Sequence, residues 1–236
     1  MEEMKQYLKS TKLLDYNNSR VQSLIQDKNW LSLAEKDRIL SIYNFVKDDI
    51  SFGYNKSDDL SASEILRDGY GQCNTKTILF MTLLRAVNIP CRFHGFAIHK
   101  ELQKGLINGV AYFLAPKEII HSWAEVYYNG TWFEMEGLIL DSAYLKGLKS
   151  MFGNSSGDFC GYGVDVKNFQ NISNEWSECN TYIQKEGIVK DFGVFDSPDV
   201  FYEKFGSNLS GIKKLVFTQV VRKIMNNNVY KIRTLR

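Results

Sequence analysis

Cys73, His121 and Glu136 are the residues whose types and positions could together do chemistry. A thiol attacks carbonyl carbon well only once ionised, and the first turn of a helix favours the thiolate through its unpaired N–H groups and dipole. Cys73 stands at the start of a mainly apolar run, separated from Gly69-Tyr70-Gly71 only by Gln72. Two glycines let the chain turn sharply and leave room for a substrate, and the Cys73 N–H is placed to serve as an oxyanion donor. Gln72 and Tyr70, beside the nucleophile, are candidate substrate-binding or oxyanion residues. Taken alone, a cysteine next to an apolar run is most often a small buried hydrophobe, so this segment does not decide the matter by itself.

The histidine and the acid come from a hairpin. His121 to Tyr128 and Thr131 to Leu138 flank Asn129-Gly130, a dipeptide suited to a two-residue type I′ turn. That register sets Tyr128 opposite Thr131, Trp123 opposite Glu136 and His121 opposite Leu138. Glu136 then becomes the diagonal neighbour of His121, roughly 7–8 Å away and within reach of a long side chain. A carboxylate there can fix the imidazole tautomer that leaves its other nitrogen free to take the thiol proton. Asp141, just past the hairpin, is the second candidate for that role. Trp123, on the same strand face as His121, is a candidate wall of the site. The same register opposes Glu125 to Glu134, a like-charge pair that must be exposed or relieved.

These residues need elements to hold them. Residues 34–50 carry Ile39, Ile42, Tyr43 and Val46 at helical spacing, and Ser61 or Ser63 can cap a short helix through Glu64 to Leu66. Residues 73–87 are apolar on nearly every face and predict a buried helix ended by Asn88 and Pro90. Residues 91–98 suit a strand, and 105–117 are expected to add another. Beyond Tyr144, glycines at 147, 153, 157, 161 and 163 leave a segment readable only as loop with short elements. Leu209, Ile212, Leu215, Val216, Val220, Ile224 and Met225 mark a late helical stripe, broken by Asn226-Asn227-Asn228.

In order along the chain, Gly-x-Gly-x-Cys (69–73), Leu-Arg-Ala-x-x-Ile-Pro-x-Arg (84–92), and His-x-Trp-x-Glu-Val-Tyr followed by Gly-x-Trp (121–132) resemble the transglutaminase-like superfamily. The resemblance covers about residues 36–145. It implies an α+β, papain-like transglutaminase core, with the cysteine-bearing helix packed on an antiparallel sheet and extra N- and C-terminal helices. It makes Cys73 the nucleophile and His121 the base, and it puts Glu136 where the family has an aspartate. The implied chemistry is acyl transfer from an amide through a thioester, with hydrolysis of a peptide or other carboxamide favoured over cross-linking. The expected organisation is an N-terminal helical extension (1–34), a catalytic core (35–150), and a C-terminal loop and basic helical extension packed on the core (151–236).

Composition narrows the rest. With 236 residues, 44% hydrophobic and 24% charged, the chain can bury a core without staples. Cys73, Cys91, Cys160 and Cys179 are widely spaced and expected to be free thiols. Their spacing offers no CxxC zinc pair, and His94 and His99 near Cys91 fit no compact site, so no metal and no other cofactor is expected. Cys160 lacks a following helix to stabilise a thiolate. The acidic, polar start (Met1 to Gln6) and the lack of a long apolar stretch point to a cytoplasmic protein. A formal charge of +2 calls for no obligate nucleic-acid partner, and the resemblance implies a peptide or protein amide as the substrate. The segment 207–236 lacks acidic residues yet holds Lys213, Lys214, Arg222, Lys223, Lys231, Arg233 and Arg236. It supports an alternative in which an inactive module contacts an anionic membrane, nucleic acid or protein through this helix.

Overall fold

The run after Cys73 is apolar on nearly every face, so a helix made of it must be surrounded, and the fold is built around it. The computed structural model describes residues 4–153, 155, 157–172, 174–209 and 211–235. Of the residues named above, Met1, Glu2, Glu3, Arg236 and the side chain of Lys213 lie outside this description. The early helices are α1 (Ser19–Lys28), α2 (Glu35–Asn44) and α3 (Ala62–Asp68), followed by the central helix α4 (Cys73–Ala86). Ser61 and Glu64 form a reciprocal capping box on α3, and Gly69 ends it at φ 71°, so the expected punctuation is realised. Two short strands, β1 (Ser51–Phe52) and β2 (Tyr70–Gly71), pair in parallel and lead the chain into α4.

Every residue of α4 from Cys73 to Arg85 is buried. Against it packs an antiparallel sheet made of β3 (Cys91–His99), β4 (Glu118–Tyr128), β5 (Thr131–Met135) and, added much later in the chain, β8 (Ile188–Phe195). The order is β5-β4-β3-β8. Ile78 and Phe80 share one core with Ile39 and Tyr43 of α2, Phe93, Ala124 and Val126 of the sheet, and Val21, Ile25 and Trp30 of the N-terminal segment. The architecture is therefore the expected α+β one, a cysteine-bearing helix on an antiparallel sheet.

Three local expectations are corrected. Residues 105–117 form no strand: Asn108 precedes a short helix, α5 (Gly109–Leu114), whose Val110, Phe113 and Leu114 recur at i, i+3, i+4 and stand exposed. The stretch after Tyr144 opens as a helix, and only its described residues beyond Phe152 are the expected loop with short elements. Asp141 accepts the Tyr144 N–H at 2.8 Å and caps α6 (Ser142–Phe152). A small hairpin, β6 (Phe159–Gly161) with β7 (Val164–Val166), follows, then α7 (Pro198–Phe205). The triple asparagine does not break the last helix. α8 (Gly211–Val216), a π-helical stretch (Phe217–Val221) and α9 (Arg222–Arg233) run on without interruption. Asn226 bonds both Tyr54 N (2.7 Å) and Tyr54 O (3.0 Å), and Asn228 donates to Leu106 O at 2.9 Å, so these amides dock the helix. Among the described residues no helix is long and apolar enough to cross a membrane.

Gly147, which reads as a breaker, is a contact point between α6 and α9. A Cβ built there would lie 1.9 Å from the Ile232 carbonyl oxygen, an approach backbone cannot relieve cheaply. Helix propensity favours alanine over glycine by about 1 kcal/mol, while forced overpacking costs about 1–3 kcal/mol and sometimes more. Gly147→Ala should therefore lower stability by about 2 kcal/mol, read as a lower urea midpoint at unchanged slope.

Candidate active site

β5 pairs with β4 only as far as Ala124↔Met135, in the register that the Asn129-Gly130 turn predicts, with both turn residues at positive φ. Beyond that pair the strand stops, and Glu136 turns into the αR region (φ −99°, ψ −29°). This departs from the expected strand to Leu138 and brings the acid closer than a diagonal neighbour. His121 Nε2 lies 2.7 Å from Glu136 Oε1, and both side chains are fully buried. The second carboxylate oxygen accepts the N–H groups of Ile183 (2.8 Å) and Gln184 (3.0 Å), so Glu136 is held rigidly.

The other ring nitrogen, Nδ1, has no partner of ordinary hydrogen-bond geometry among the described residues, yet the Cys73 thiol is close enough to act strongly on the ring. Burial alone would lower the imidazole pKa. The Cys73 charge and hydrogen bond, with those of Glu136, outweigh it and push His121 up to about 10. Cys73 is the first residue of α4, and the first turn holds no acidic residue to compete with a thiolate.

Residues that the sequence reading missed lock the two elements together. Asn74 donates to Ile120 O at 3.0 Å and accepts from the Ser122 hydroxyl at 2.9 Å, gripping β4 on either side of His121. Asp58 accepts from Asn74 (3.1 Å), Gln72 (3.2 Å) and Asn208 (2.9 Å). The only sequence signal was polar residues beside an apolar helix start. Nothing local linked residue 58 or 208 to it.

The other candidates are dispersed. The Gln72 carboxamide is held by Asn55 N (2.8 Å) and Asp58, though the residue does line the cavity described below. The Tyr70 hydroxyl accepts from Arg222 at 3.0 Å and does not reach the cavity. Trp123 packs edge-on against His121 at 6.2 Å and lies tilted against Phe96 at 4.0 Å, also away from the cavity. Asp141 caps α6 and pairs with Arg233 at 2.6 Å, so Glu136 and not Asp141 meets His121. The Glu125–Glu134 opposition exists, relieved by Arg92 (2.6 Å) and His94 (2.7 Å) on Glu125 and by the Tyr182 hydroxyl on Glu134.

A cavity of about 570 Å³ opens onto Cys73. Cys73, Gln72, Asn55, Asp58 and Asn74 supply its polar end. Its apolar wall comes from Ile98, Leu102 and Ile119 and from the helices α5 and α8, through Val110, Leu114, Ile212 and Val216. His121 is absent from the lining, so the nucleophile meets the cavity while its base stays shielded.

The sequence model of the transglutaminase-like superfamily matches residues 23–137, a stretch holding Cys73, His121 and Glu136. Residues 23–137 thus resemble the domain of that superfamily. Its members are typically cysteine enzymes that act by acyl transfer. Among solved structures, the chain resembles a candidate cysteine protease of Cytophaga hutchinsonii at 13% identity and TM-score 0.48, covering 84% of this chain and 49% of that one. A red sea bream transglutaminase matches at 14% identity and TM-score 0.32, over 58% of this chain and 26% of that one. The chain thus spans about half the length of the first structure. No curated protein matches it.

One buried group within residues 23–137 makes stability depend on pH. Lys76 of α4 donates to Lys47 O and Ile139 O, each at 3.0 Å. Burial pulls its ammonium down from 10.5 to about 7, against the opposing pull of Asp141 and Asp48. Between those values the unfolded chain holds the proton and the folded one does not, so Lys76 makes stability rise with pH. Lys76→Met should remove that rise between about pH 7 and 10, as read by urea unfolding across the range.

Proposed function

We propose that the protein hydrolyses carboxamides, peptides among them, through a thioester on Cys73, and that it prefers acyl groups with a large apolar portion. The observation that carries this is the buried chain Glu136–His121–Cys73, whose sulfur end alone opens into a mainly apolar cavity. Cys73 Sγ adds to the carbonyl carbon, and the oxyanion that forms lies near the Cys73 N–H at the α4 N-terminus. The tetrahedral adduct collapses as His121 delivers its proton to the leaving amine, giving a thioester and free amine. Water then attacks the thioester while His121 takes a proton, releasing a carboxylic acid and restoring the thiol. The supporting geometry for substrate choice is the apolar wall from Val110, Leu114, Ile212 and Val216, which suits an aliphatic or aromatic group and offers little to a charged one.

The test uses the full chain with coumarin amides of acyl groups from acetyl to dodecanoyl and of short apolar peptides. Expected are turnover that grows with apolar size, a Cys73-bound acyl group seen by mass spectrometry, and release to water even with a primary amine present. Incorporation of the amine in place of water would overturn hydrolysis. No acylation of Cys73 by any member of the panel would overturn the enzymatic reading.

A further inference from the structure

Away from Cys73, three residues with metal-binding donor atoms meet at the β6–β7 hairpin. His99 closes β3, while Cys160 and Asp165 are cross-strand partners in the hairpin. One donor atom from each lies within 4.8 Å of the other two, and His99 Nε2 is 2.9 Å from Asp165 Oδ2. Sequence spacing could not reveal this, because residue 99 and residues 160 and 165 are brought together only by the tertiary fold.

The surroundings suit a cation. His99 Nδ1 lies 2.8 Å from Glu101 Oε2, the carboxylate–imidazole arrangement that leaves a lone pair on Nε2. A lone pair facing a carboxylate oxygen at 2.9 Å needs a proton or a metal between them. Gly187 packs closely against the pair: a Cβ there would sit 2.5 Å from Leu102 Cδ1, 3.2 Å from Asp165 Oδ2 and 3.4 Å from His99 Nε2. Cys160 is exposed, which gives an ion a way in.

We propose that His99, Cys160 and Asp165 bind one divalent transition-metal ion, with zinc the best match to the donor set, and water as the fourth ligand. Imidazole, thiolate and carboxylate around a dipositive ion make a neutral site, the thiol proton passing to solvent as the metal–sulfur bond forms. The ion would act as a staple. The hairpin turn is already pinned by Tyr162 N to Lys104 O (2.8 Å) and Gly163 N to Leu102 O (2.7 Å), and Leu102 and Gly163 line the cavity beside Cys73. Metal binding would fix that wall.

The test is cobalt titration of the full chain in a Cys73→Ser, Cys179→Ser background, so that among the exposed or cavity-facing thiols only Cys160 remains. Expected are a thiolate-to-cobalt band saturating at one equivalent, its loss on adding zinc, and a rise in Tm with zinc. Cys160→Ser should remove the band, His99→Ala should abolish saturable binding, and Glu101→Gln should weaken it about 10-fold or more. Metal-free urea midpoints of the variants check that each remains folded. Absence of the band, or a band unchanged by Cys160→Ser, would overturn the site and leave an imidazolium held between two carboxylates.

Discussion

His121→Ala should reduce amide turnover by about 10²–10⁴-fold and remove the ability of Cys73 to react with iodoacetamide below neutral pH. The reason is electrostatic. His121 is fully buried, and burial opposes its charge, yet interaction with Cys73 and Glu136 carries it to about 10. An imidazolium sustained that way supports a negative sulfur beside it, and the thiolate is the species that alkylates. Replacement by alanine removes both the charge and the proton acceptor. The other thiols supply the contrast within one labelling experiment. Burial pushes Cys91 up, and burial with Asp165 pushes Cys160 to about 12, so neither should compete at low pH. Peptide mapping of the native protein between about pH 5 and 9 should show Cys73 labelled first, and Cys73→Ala should abolish both that adduct and turnover. Labelling of Cys73 that is indifferent to His121 would sink the catalytic pair.

Much of this pair could be read from the chain because its constraints are local. The Asn129-Gly130 turn fixes a register, and the register brings Glu136 towards His121. What the turn could not convey was that β5 ends at Met135. The Glu136 N–H bonds Thr181 O at 3.0 Å, and its carboxylate takes two more N–H groups from residues 183 and 184. Those partners lie more than forty residues on, in a segment without periodicity. The same reasoning covers the other departures. Gly147 looks like a breaker until the Ile232 backbone is laid across it, and the asparagines at 226 and 228 look like breakers until Tyr54 and Leu106 accept their amides. The basic C-terminal stripe reads as a surface, yet Arg233 bonds Asp141 and Phe52 O and Arg222 bonds the Tyr70 hydroxyl. Local pattern revealed hairpin and core helix; groups recruited from distant segments were hidden.

Glu136→Gln should be nearly as damaging as loss of the base, though it changes one atom. Glu136 acts wholly as an acceptor: Oε1 meets His121 Nε2, and Oε2 takes the Ile183 and Gln184 N–H groups. A glutamine can keep the two backbone bonds only by turning its oxygen towards them, which aims its NH₂ at Nε2. The imidazole must then accept at Nε2 and carry its proton on Nδ1, facing Cys73, where it can no longer take the thiol proton. A tautomer error of this kind costs about 10⁴ in turnover in a serine hydrolase triad, and about 10³–10⁴ is expected here. Glu136→Asp keeps the charge but shortens the arm that spans β4 and the 183–184 segment, so an intermediate loss of about 10–100-fold is expected. If Glu136 were only a packing residue, the near-isosteric glutamine would be the milder change. Turnover and low-pH labelling of Cys73, measured with circular dichroism to confirm folding, decide between the two orders: aspartate above glutamine for an orienting carboxylate, glutamine above aspartate for a filler of space.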